Sequence, residues 1–86
     1  MNDIDLNAAK LLLLYDKITR FGNRDKEEHH LNGIAVSSDF DGYTLFLHDS
    51  DVYVTLYFHN SFAISCDDNK SLAIFKVKVM QILDQY

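Results

Sequence analysis

A proline-free chain of 86 residues is sized for a single domain, spanning 1–86, with no room for a linker or a second core. With 13 Asp plus Glu against 8 Lys plus Arg, its net charge of -5 argues against nucleic acid as a partner, because a phosphate-binding surface needs a basic stripe to displace counterions. The lone Cys66 rules out an intramolecular disulfide, and the acidic start Met-Asn-Asp-Ile-Asp lacks the basic region of a secretion signal, so the cytoplasm is the expected location. No apolar run approaches the ~20 residues that a membrane-crossing helix requires.

In chain order, the first expected element is a helix from about Asp5 to Phe21. Leu11, Leu14, Ile18 and Phe21 recur at the three-four spacing of one helical face, and Ile4 and Ala8 extend it. Asp3 or Asp5 is placed to cap its start, and Gly22-Asn23 to supply a left-handed residue at its end. Leu12, Leu13 and Tyr15 widen the stripe, so some of them are expected to touch a second helix. Asn23 to Glu28 reads as a solvated charged connection. His29 to Ser37 reads as the first strand, with Asn32-Gly33 marking a bulge or bend inside it. After the loop Ser38 to Gly42 come a second strand, Tyr43 to His48, a third, Val52 to His59, and a fourth, Phe62 to Cys66.

Parity sets the register, since cross-strand partners share a face. A two-residue turn at Ser50-Asp51 pairs Leu47 with Val54 and Leu45 with Leu56, and on the other face Phe46 with Thr55 and His48 with Tyr53. Between the third and fourth strands a three-residue loop is expected at His59-Asn60-Ser61, with Asn60 left-handed. Lys70 to Gln85 closes the chain as a helix capped by Asp68 or Asn69. Its main stripe is Leu72, Phe75, Val79, Ile82 and Tyr86, with a weaker one through Ala73, Val77 and Met80. Phe75-Lys-Val-Lys-Val79 also alternates with a period of two, which leaves a fifth strand open there. The expected fold is α+β: a four-stranded antiparallel meander with both helices packed on one face, in the order α-β-β-β-β-α.

One sheet face is apolar: Ile34, Val36, Tyr43, Leu45, Leu47, Val54, Leu56, Phe58, Phe62 and Ile64. The other carries Thr44, Phe46, His48, Tyr53, Thr55, Tyr57, Ala63 and Ser65, too aromatic for an ordinary wet surface. Phe46, His48, Tyr53, Thr55 and Tyr57 are the candidate interaction residues, because rings with polar tips suit contact with protein, and these strands lack the basic residues that stacking on RNA requires. The competing account is cross-strand packing that stiffens the sheet.

Motifs with catalytic or metal chemistry are weak. Asp39-Phe-Asp41-Gly42-Tyr-Thr44-Leu45 resembles the first motif of the haloacid-dehalogenase-type phosphatases, but Tyr43 interrupts its spacing, and that family needs a parallel sheet with helical crossovers. A calcium loop fails similarly, because Tyr43 stands where the third oxygen ligand belongs. The plainer expectation is a turn in which Asp39 and Asp41 bond nearby N–H groups and Gly42 takes a positive φ. His29 and His30 point to opposite faces of a strand, and His48 and His59 lie a strand's length apart, so no metal site is expected. No cofactor motif occurs, and no catalytic residue is assigned. Cys66, ending an apolar run, reads as a small hydrophobe rather than a reactive thiol.

Asp39-Phe-Asp-Gly-Tyr43-Thr44, the hairpin after it and Phe58-His-Asn60 resemble a small bacterial family known only as a domain of unknown function. The resemblance implies a small cytoplasmic protein with no assigned activity. The leading expectation is therefore a non-enzymatic protein-interaction module that self-associates as a homodimer, with an unidentified protein as a further partner and no membrane contact. Two alternatives stand beside it. One is a small metal-dependent enzyme or ligand-binding protein using the Asp39/Asp41 loop; the other is an acidic inhibitor of a nucleic-acid enzyme, which would gather its carboxylates on one face.

Overall fold

Helix α1, Ala8–Phe21, begins a turn later than the apolar stripe predicts, because Asn7 caps it rather than an aspartate. Asn7 is extended (φ -145°), and its side-chain oxygen accepts the Lys10 N–H at 2.8 Å. The computed structural model describes residues 5–86, so Asp3 and Ile4 lie outside the described residues. Leu11, Leu14 and Ile18 are fully buried. Leu12 and Leu13 stay 53% and 47% exposed, and only Tyr15 of the widening residues packs against the core.

Gly22 ends the helix without the expected left-handed turn, since its φ is -84°. The glycine is needed for space instead: a Cβ there would lie 2.5 Å from the His30 carbonyl oxygen and 2.6 Å from that of Ile18. Gly22→Ala is expected to cost about 1–3 kcal/mol through this overpacking. Urea denaturation measures it, and an unchanged midpoint would show that the strand can recede from the helix end.

The sheet has six strands where the pattern predicts four, in the uninterrupted antiparallel order β1 to β6. Both extra strands come from the segment before Ile34. The charged connection is itself a hairpin, β1 (Asn23–Asp25) with β2 (Glu28–Leu31), turned by Lys26 at φ 58°. The single strand predicted over His29 to Ser37 folds back at Asn32-Gly33, whose φ values of 52° and 83° are those of a two-residue hairpin turn, giving β2 and β3 (Ile34–Ser38). Asn-Gly thus acts as a reversal rather than a bulge.

β4 (Thr44–His48) and β5 (Val52–Tyr57) pair in the predicted register, with Leu47 opposite Val54 and His48 opposite Tyr53. β6 (Phe62–Cys66) departs from expectation by two residues: Leu56, not Phe58, faces Phe62. The loop is Phe58-His59-Asn60, still three residues with Asn60 left-handed at φ 69°, and the Tyr57 N–H donates to the Ser61 carbonyl across its base at 2.8 Å. Phe58 consequently leaves the apolar face and is 73% exposed, resting 5.3 Å from the Tyr43 ring. Tyr43 is itself exposed, because β4 starts one residue later than predicted.

Helix α2, Asn69–Gln85, is capped by Asp68, whose carboxylate accepts the Ser71 N–H at 2.7 Å. Residues 75–79 are helical, and Phe75, Val79 and Ile82 are fully buried. Tyr86 is exposed against Phe21 at the tip of the stripe, and Val77 of the weaker stripe faces solvent. Both helices cover one face of the sheet, over Ile34, Val36, Leu47, Val52, Val54 and Leu56. Two turns at one end of the sheet are tied to α2. The Asn32 amide donates to the Lys78 carbonyl and the Gln81 side chain, while Lys78 Nζ reaches Asp49 at 2.9 Å.

Candidate interaction face of the sheet

With both helices on the inner face, no described element covers the outer one. Strand alternation places Phe46, His48, Tyr53, Thr55 and Tyr57 there. His48 stacks on Tyr53 with centroids 5.2 Å apart and planes 9° from parallel, and the tilted Phe46 ring lies 6.2 Å from that of Tyr53. Tyr53 and Tyr57 are exposed, and Tyr57 stacks against His59 at 6.2 Å. Phe46, His48 and Thr55 are half-buried by their neighbours.

The β2–β3 reversal adds residues that the one-strand reading left apart. His30 and His48 both pair with Ala35, from opposite sides. Between them stands Glu28, one carboxylate oxygen 3.3 Å from His30 Nε2 and the other 3.0 Å from His48 Nε2. Since a carboxylate only accepts, the His48 imidazole donates from Nε2, while His30 stands within ion-pair distance of the same carboxylate. This bridge roofs Ala35, which is 4% exposed although it lies on the open face. The result is a continuous polar-aromatic chain from His30 through Glu28, His48 and Tyr53 to Phe46. Its signal in the sequence is Asn32-Gly33: read as a tight reversal, it brings His30 across from Ala35 and hence beside His48.

The hydrogen bond from His48 is the main influence holding the Glu28 carboxyl below its ordinary value of 4.5; burial, the next largest, opposes it, and the charges of His48 and His30 reinforce the lowering. A depressed carboxyl stabilises the fold above its unfolded value and loses that contribution as pH falls through the lower folded one. Because Glu28 is 37% exposed, solvent screening limits the gain to about 0.5 kcal/mol. Glu28→Gln is therefore expected to trail the wild type by that amount at pH 6 and to match it at pH 3. Chemical denaturation at the two pH values measures the gap, and a gap that persists at pH 3 would contradict a charge-based bridge.

The Asp39/Asp41 loop is built as a turn. Asp39 N–H donates to the Thr44 carbonyl at 3.0 Å, Gly42 N–H to the Asp39 carbonyl at 3.2 Å, and Thr44 N–H to the Asp39 carboxylate at 3.2 Å, with Gly42 at φ 78°. Asp41 accepts none of these bonds. Among the described residues no three His, Cys, Asp or Glu side chains form a group that could hold a metal ion. The cleft beside this loop, about 200 Å³ between Leu12, Tyr43, Leu56 and Phe58, falls below the usual size of a ligand pocket. No helix among the described residues is long and apolar enough to cross a membrane.

A family model described as a protein of unknown function, DUF3081, matches residues 6–86. The chain belongs to this family. The DUF3081 match takes in α1, all six strands and α2, so the hairpin before Ile34 is part of the family domain rather than an appendage. None of the curated proteins and none of the solved structures matches the chain.

Proposed function

We propose that this member of the DUF3081 family is a small non-enzymatic protein-interaction module that self-associates and meets protein through its outer sheet face. The observation that carries the reading is the one-sided layering: both helices are spent on the inner face, and the outer face keeps exposed Tyr53 and Tyr57 beside Phe46 and His48. Tyrosine brings large contact area at low entropic cost and a polar tip that tolerates water when free. Leu12 and Leu13 add exposed apolar surface on the helical side, which a chain this small gains from covering. The acidic charge and single Cys66 suit a cytoplasmic setting and a protein partner. Sedimentation over micromolar concentrations, with iodination of Tyr53 and Tyr57, tests the reading. The expected result is a mass rising from one chain towards two. A constant single-chain mass with both tyrosines fully reactive throughout would overturn it.

A further inference from the structure

The two open edges of the sheet are built differently. β1 is three residues long, wholly exposed, and carries Arg24 and Asp25, the usual guard against edge-to-edge pairing. β6, Phe-Ala-Ile-Ser-Cys, has no charge, proline, glycine or bulge across five continuous pairs with β5. Its backbone polarity follows from the loop that precedes it. The Tyr57 N–H bonds the Ser61 carbonyl, so by antiparallel alternation Ala63 and Ser65 also bond inward to β5. The N–H and C=O groups of Phe62, Ile64 and Cys66 are therefore directed away from the sheet, where no described strand meets them. Those same residues carry the half-buried apolar side chains of β6.

We infer that β6 is the joint between two copies of this chain, pairing antiparallel with its own equivalent about a two-fold axis at Ile64. The inference rests on the self-association proposed above and specifies where it occurs. The register is self-complementary: Ile64 faces Ile64 of the second copy, Phe62 faces Cys66, and Ala63 faces Ser65, so every outward backbone group of the strand gains a partner. Charge selects the same register. It sets Asp67 beside Ser61 and Asp68 beside Asn60 of the second copy, whereas a slip towards the C-terminal end brings the acidic residues of the two copies together. The product is one continuous sheet of twice six strands, with the two outer faces joined into a single ring-bearing surface.

Amide hydrogen exchange and sedimentation on the intact protein test this together. The N–H groups of Phe62, Ile64 and Cys66 should exchange slowly in the associated protein and become fast on dilution, while those of Ala63 and Ser65 stay protected in both. Ala63→Lys with Ser65→Lys sets lysine against lysine across the joint and should weaken association about tenfold or more. Ala63→Lys with Ser65→Glu sets opposite charges there and should restore it, with circular dichroism showing both variants folded. If the protein associates but the edge amides exchange freely or the double-lysine variant associates normally, the joint lies elsewhere and only this inference falls. Growth beyond two copies, as β6-to-β1 pairing would produce, overturns it equally. A protein that never associates removes the self-association reading and the joint with it.

Discussion

Phe75→Ala is expected to cost about 3–5 kcal/mol, which lowers the melting temperature by roughly 12–40 °C in a domain of this size. Phe75 has the largest fully buried side chain of the core and sits among Leu11, Leu14 and Ile18 of α1 and the inner residues of β3 to β5. Truncating it leaves a cavity that the surrounding sheet cannot collapse to fill, so the loss exceeds simple transfer of the ring to water. Total stabilities of about 5–15 kcal/mol make such a loss comparable with the whole margin. Phe75→Leu keeps part of the volume and should retain a cooperative transition at a lower midpoint, which keeps the measurement possible if the alanine variant fails to fold. A loss under about 1 kcal/mol for alanine would mean that α2 does not anchor the core as described.

Asp49→Ala should be nearly as damaging, at about 3 kcal/mol. The Asp49 side chain is 2% exposed and is used three times over. One carboxylate oxygen accepts the N–H groups of Asp51 (2.9 Å) and Val52 (2.8 Å), shaping the β4–β5 turn, and the other meets Lys78 Nζ on α2 at 2.9 Å. Burial, the largest single influence, pushes its carboxyl up, but the Lys78 bond and charge and the two backbone donors together outweigh it and hold the group below its ordinary 3.8. The stabilisation is consequently present above that value and lost as pH falls through the lower folded one. Asp49→Asn keeps an acceptor for the turn and removes the charge, so it should fall between wild type and alanine, with its deficit shrinking below pH 3.8. Equal losses for Asn and Ala would assign the whole effect to the ion pair with Lys78. No loss for Asn would assign it to the turn.

The last helix and the central hairpin were legible from their residues alone. Asp68 sits where an N-cap belongs, the step of three from Val79 to Ile82 breaks the period-two alternation that left a strand open over 75–79, and the β4–β5 register follows from parity once a two-residue turn is assumed. The candidate face was half legible: Phe46, His48, Tyr53, Thr55 and Tyr57 lie on the outer side as alternation requires. Glu28 and His30 join them only because Asn32-Gly33 reverses the chain, a turn that pattern reading treated as an irregularity within one strand. The β5–β6 hairpin shows a subtler limit. Parity correctly demanded an odd loop, but sliding the loop by one residue at each side preserves parity, so nothing local told Phe58 from Leu56 as the partner of Phe62. The helix layer decides it, since Leu56 is nearly covered by the core while Phe58 is left in the open.

Alternation, cap chemistry and helical spacing are properties of neighbours along the chain, and they alone determined an antiparallel α+β domain with one greasy and one aromatic sheet side. Three features depend on residues far apart in sequence meeting in space: the space that Gly22 yields to the His30 carbonyl, the Glu28 bridge between two histidines, and the attachment of the Asn32 and Asp49 turns to α2. Only tertiary structure decided those, because each exists through close packing or a shared polar contact that no local pattern encodes.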